Sequence, residues 1–134
     1  MARYEKVVKK LWGWEYWIVN NDLYCGKLLL LKEGFQSSLH YHKEKDETFH
    51  LLSGEILLEV NGEVKALKSP STVRLTPGTR HRFRSLVPKS LIVEVSTKHQ
   101  DLDVVRLENS SKCNVPTALN SLPGGQSTSP DATD

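Results

Sequence analysis

The sequence is poor in the features that would tie a chain to an oxidising compartment, a membrane or a nucleic acid. It holds only two cysteines, Cys25 and Cys113, too few for the disulfide framework of a small secreted domain. Its longest aliphatic run is Leu28-Leu29-Leu30-Leu31, far short of the roughly 20 apolar residues that span a bilayer. The first residues, Met1-Ala2-Arg3-Tyr4-Glu5-Lys6, lack the apolar stretch of a signal peptide. A reducing cytoplasm is therefore the expected location, and the sequon Asn109-Ser110-Ser111 carries no weight. Neither sign of charge dominates, with 18 basic and 16 acidic residues giving +2. No Lys/Arg cluster is interleaved with aromatics, so no nucleic-acid or membrane partner is expected. Helical periodicity of any length is missing, and so are internal repeats.

What is present is a succession of short strands. The pattern predicts strands at Trp14 to Val19, Leu23 to Lys32, Gln36 to His42, Thr48 to Leu52, Glu55 to Val60 and Glu63 to Leu67, and then at Thr72 to Leu75, His81 to Leu86, Leu91 to Ser96 and Asp103 to Leu107. Turn residues separate them, and Asn61-Gly62 between two apolar-alternating runs marks a type I′ hairpin. A single helical turn is expected near Lys6 to Leu11. Strands this short and this evenly spaced predict an all-β sandwich or barrel over residues 1–108. From Asn109 onward the composition turns to Ser, Thr, Pro, Gly and Asn, and 109–134 is expected to be a flexible tail.

Within the strands lies a constellation suited to a cation. Gly34-x5-His40-x-His42-x4-Glu47-x6-Gly54 is followed by Pro77-Gly78-x2-His81. Residues two apart on a strand share a face, so His40 and His42 present their imidazoles together and Glu47 can join them after a short turn. Three imidazoles and a carboxylate suit one divalent transition metal (Zn, Mn, Fe, Ni or Co) and leave positions for water or substrate. The register of His40 also carries Gln36 and Ser38 inward, that of Glu47 carries Phe49, and that of His81 carries Phe83. Gln36, Phe49 and Phe83 are thus candidate substrate contacts, and Lys27 a candidate anion contact. His50 is out of phase with Glu47 and should face away. His99, just past a strand and beside Asp101 and Asp103, could fold over the mouth of the pocket. Trp12, Trp14 and Trp17 read as packing residues rather than a sugar platform.

These two motifs resemble those of the cupin superfamily, although the usual later Asn of the second motif is absent. The resemblance implies a double-sheet jelly-roll barrel with one bound metal. A narrower similarity runs from Leu11 to Glu108. Leu11-Trp12-Gly13-Trp14-Glu15 looks like the entry of type II phosphomannose isomerase domains, and Asp103-Val104-Val105-Arg106-Leu107 like their exit strand. The frame is also similar to cupin domains of sialic-acid synthases and to lyxose-isomerase-type cupins. Where those isomerases carry Tyr-Gly-Arg, this chain has Asn109-Ser110-Ser111. The resemblance implies a small sugar or sugar-phosphate ligand and an aldose–ketose isomerase, for which His99, Glu33 or a metal-bound hydroxide are the candidate bases; the exposed sheet edges of so small a barrel favour a homodimer. An Fe(II) and O2-dependent cupin dioxygenase and a non-catalytic sugar-binding cupin remain open beside it.

Overall fold

The computed structural model describes residues 3–113, and they form two facing antiparallel sheets that close into a β-barrel. The first sheet runs β1 (Lys6–Lys10), β2 (Gly13–Asn20), β3 (Cys25–Lys32), β11 (Lys89–Ser96), β6 (Glu47–Ser53) and β9 (Ser71–Leu75). The second runs β12 (Val104–Glu108), β5 (Leu39–His42), β10 (His81–Ser85), β4 (Phe35–Gln36) and β13 (Ser111–Lys112). β10 also pairs with β7 (Glu55–Val60), which pairs with β8 (Glu63–Lys68). The expected all-β jelly roll is what the chain adopts. Among the described residues no helix is long and apolar enough to cross a membrane; a single 3₁₀ turn occupies Asp101–Asp103.

Period-2 alternation explains how the barrel fills. In β3, Cys25, Lys27, Leu29 and Leu31 are buried while the residues between them are not. The inward residues grade from polar to apolar along each strand: Lys27 to Leu31 on β3, Glu47 to Leu51 on β6, His81 to Phe83 on β10, Glu94 to Ile92 on β11. One end of the barrel is thus an apolar core of Leu29, Leu31, Phe49, Leu51, Ile56, Leu58, Leu75, Phe83 and Ile92 under Trp12, and the other end is lined with charge. The Asn61-Gly62 hairpin forms as expected, with φ of 49° and 87°, the left-handed pair that a type I′ turn requires.

The structure departs from the expected elements in three places. Lys6–Lys10 is not a helical turn but an edge strand paired with β2. Its Val7-Val8 pair favours extended backbone, and its lysines suit an edge. The expected strand Gln36 to His42 is broken at Ser37-Ser38, both buried. Between the pairs Gln36–Arg84 and His40–His81 the β4–β5 side advances four residues while β10 advances three. The extra residue is a bulge, tied down by Ser37 N–H to Phe83 O at 2.9 Å and Phe83 N–H to Ser37 Oγ at 3.0 Å. Finally, the ordered body passes residue 108. Ser110 is fully buried, β13 pairs with β4, and Cys113 N–H donates to Gly34 O at 2.7 Å. The rest of the expected tail, 114–134, lies outside the described residues.

Candidate metal centre

The charged end of the barrel brings His40, His42 and His81 together, with one ring nitrogen of each within 4.8 Å of the others. β5 supplies the first two from one face, and β10 lays His81 directly opposite His40. The outer nitrogens of His40 and His81 fix those two rings. His40 Nδ1 lies 3.1 Å from Ser38 O and 2.9 Å from Ser38 Oγ, and His81 Nδ1 lies 2.9 Å from Thr79 O. His42 Nδ1 faces Asp103 Oδ2 at 3.8 Å. A ring that donates Nδ1–H to a carbonyl keeps its Nε2 lone pair for a metal.

Glu47, at the start of β6, completes the cluster. Its Oε2 lies 3.3 Å from His42 Nε2 and 3.1 Å from His81 Nε2. These separations match the roughly 3.0–3.4 Å edges of a polyhedron built on bonds of about 2.1 Å. Yet Glu47 Oε2 and His81 Nε2 are buried and make no hydrogen bond, a costly state for polar atoms without a further partner. The donor set and these orphaned atoms fit a divalent transition ion. Burial, then the neighbouring His81 and His42, holds the His40 imidazole well below its ordinary pKa. Burial pushes the Glu47 carboxyl up, but the facing His42 and His81 and the Lys45 ammonium outweigh it and hold it well below the carboxylate range.

The cluster opens into a cavity of about 320 Å³ whose walls include Trp12, Glu15, Trp17, Lys27, Ser37, Ser38, Lys45, Phe49, Phe83, Glu94 and His99. Phe49 and Phe83 are therefore at the wall, as the register implied, and Lys27 is there with them. His50 faces away, bonded to Thr72 Oγ1 at 2.8 Å. Trp12 packs in the core, Trp17 walls the cavity and Trp14 is partly exposed.

Two expected site residues are not there. Gln36 is turned to the other face by the Ser37-Ser38 bulge, and its amide donates to Ser111 Oγ at 2.9 Å. Glu33 is exposed and bridged to Ser85 on the loop side of Gly34, outside the cavity lining. His99 does reach the cavity, but its ring is engaged on both sides. Nε2 lies 2.9 Å from Asp101 Oδ1, and Nδ1 is 3.1 Å from Lys45 Nζ and 3.4 Å from Lys27 Nζ. Burial, then the two lysines, pushes its pKa down to about 4. Its Nδ1 thus faces two ammonium groups and its Nε2 a carboxylate.

Reading the sequence overlooked the buried pair Lys45 and Glu94, whose Nζ and Oε2 are 2.6 Å apart. Glu94 was accessible in principle, since alternation from Ile92 on β11 carries it inward. Lys45 sits in a turn with no periodicity to betray it. The turn is held by Asp103, which accepts from the Glu44 N–H at 2.8 Å and the Lys45 N–H at 3.0 Å.

The model of the Cupin domain family matches residues 27–96, just over half of the chain. The chain belongs to the cupin family. Among curated relatives of this cupin, the uncharacterized protein YdbB of Bacillus subtilis (strain 168) is 33% identical over 70 residues, covering 52% of this chain and 59% of YdbB. The match thus spans rather more than half of that relative. Among solved structures, KdgF from Halomonas sp. superposes with a TM-score of 0.61 at 18% identity, over 66% of this chain and 80% of that one. The capsular polysaccharide assembling protein CapF from Staphylococcus aureus gives 0.67 at 17% identity, over 77% of this chain and 31% of that one. At these identities the structures share the fold.

Proposed function

We propose that this cupin is a metal-dependent enzyme that interconverts the aldose and ketose forms of a small sugar or sugar phosphate. The observation that carries this reading is a buried carboxylate, Glu94, in the same cavity as His40, His42 and Glu47 of the cluster. His40, His42 and His81 would hold one divalent ion through Nε2, and Glu47 through Oε2. When bound, such an ion supplies Lewis acidity toward a carbonyl and its neighbouring hydroxyl.

Aldose–ketose exchange moves one proton between adjacent carbons and another between their oxygens, with no net oxidation. Glu94 takes the proton from the hydroxyl-bearing carbon and returns it to the former carbonyl carbon, the role of a positioned general base and acid. Lys45 holds that carboxylate in place from 2.6 Å. Phe49, Phe83 and Trp12 form the apolar floor, which keeps water from the reacting carbons. CapF of Staphylococcus aureus is a capsular polysaccharide assembling protein, which favours the sugar class by likeness of fold alone.

The test is to load the protein with each candidate metal and incubate it in D2O with aldoses and aldose phosphates, following ketose formation and loss of the C2 proton by NMR. Glu94→Gln should slow the exchange by about 10²–10⁴-fold with metal content unchanged. No ketose and no exchange with any metal would remove the isomerase reading. Oxygen uptake confined to the iron form would move this cupin to the oxygenases.

A further inference from the structure

Two ammonium groups are buried in the wall of the cavity, and only one of them is saturated. Lys45 has Glu94 Oε2 at 2.6 Å, His99 Nδ1 at 3.1 Å and Glu47 Oε1 at 3.5 Å. Lys27 is 2% exposed, and its contacts are all longer. His99 Nδ1 is at 3.4 Å, Glu15 Oε1 at 3.6 Å and the Trp17 ring centroid at 4.0 Å. An ammonium carries three N–H donors, and burying one without strong acceptors costs several kcal/mol. Glu15 is the obvious structural partner, but its Oε1 accepts from Trp17 Nε1–H at 3.0 Å and stands beyond hydrogen-bond reach of Lys27.

His99 explains how the charge is kept available. Its Nε2–H points to Asp101, so Nδ1 is an acceptor shared by the two lysines. A neutral imidazole positions both ammonium groups while cancelling neither charge. Lys6 and Lys10 of β1 also line the cavity, so cations continue along that wall. The His99 and His42 ring centroids are 6.4 Å apart, which puts Lys27 within a short carbon chain of the histidine cluster.

We propose that Lys27, held by His99, is an anion subsite that takes the carboxylate or phosphate of a small anionic sugar. This rests on the reading of the cavity as a substrate site, and it narrows that substrate from sugars at large to sugar acids or sugar phosphates. Lys27 anchors the anionic end while the sugar's carbonyl and hydroxyl oxygens face the histidines.

The experiment is calorimetric titration of the zinc-loaded full chain with glucuronate, glucose 6-phosphate and glucose. At least one anionic probe should bind tenfold or more tightly than glucose, and which one distinguishes carboxylate from phosphate. Lys27→Met should erase that preference, bringing the anion's affinity to within twofold of glucose, and Lys27→Arg should retain it. Glu15→Gln, which removes the competing carboxylate but keeps an acceptor for Trp17, should tighten the anion several-fold. It carries the test if Lys27→Met does not fold. Equal binding of all three probes, a preference that survives Lys27→Met within twofold, or weaker anion binding in Glu15→Gln would each overturn the proposal. A Lys27-dependent preference without turnover leaves it standing and removes the isomerase reading; turnover of neutral aldoses indifferent to Lys27→Met does the reverse.

Discussion

At the scale of single residues, side-chain parity decides which histidines matter. His40, His42 and His81 converge because two lie one strand-repeat apart on β5 and the third is laid opposite by β10. His50, three residues past Glu47 on β6, is turned outward by the same period of two. His81→Ala should therefore weaken metal binding by more than the roughly 10–100-fold that loss of an outer-shell partner costs. His50→Ala should leave it unchanged. Competition against a chromophoric chelator measures both, and a His50→Ala loss equal to that of His81→Ala would refute the assignment. These candidate ligands were legible in the sequence because each sits on a regular strand. Lys45 was not, since a turn has no period and its burial depends on Glu94, 49 positions away in the chain. His99 was placed at the cavity, but its partners there were not foreseen. Nothing local to it announces that two lysines from other elements will take its Nδ1 lone pair.

At the scale of elements, one extra residue separates a correct reading of β5 from an incorrect one of β4. An uninterrupted strand would carry Gln36 and His40 on one face, and the Ser37-Ser38 bulge sends Gln36 to the other. Two serines in a polar stretch give no hint of it, because the bulge is specified by Phe83 of β10, which exchanges backbone and hydroxyl hydrogen bonds with Ser37. Glycines mark turns more openly. Gly54 joins β6 to β7 at φ 97°, and a Cβ there would stand 2.3 Å from Ser90 Oγ and 2.8 Å from Ser90 Cα. Gly54→Ala meets both a left-handed backbone and a backbone clash, so it should destabilise the fold by about 1–3 kcal/mol or more. Denaturant unfolding gives the loss. The Ser85–Ser90 hydroxyl pair beneath it, 2.7 Å apart, lies outside the cavity lining, so metal stoichiometry should be preserved in the folded fraction.

At the scale of the whole molecule, the barrel concentrates its charge at one end, and stability should follow the protonation of that end. His99 faces Lys27, Lys45 and Asp101 directly, with the His42 ring beyond. Burial, reinforced by the two ammonium groups, lowers its pKa from 6.5 to about 4. A depressed value in the folded state means that the unfolded chain takes up the proton first. The stability this group contributes is whole above about pH 6.5 and is lost as the pH falls toward about 4. One proton of difference corresponds to a slope of about 1.4 kcal/mol per pH unit across that window. His40 and Glu47 are depressed as well and push in the same direction, so the metal-free protein should weaken steeply on acidification. His99→Gln isolates one share of that slope. Urea unfolding of metal-free wild type and variant at intervals from pH 7 to 4.5 should show the variant's stability falling less steeply, by about one proton's worth. Parallel pH profiles would mean that His99 is protonated alike in both states, and that the lysines do not hold it neutral inside the barrel.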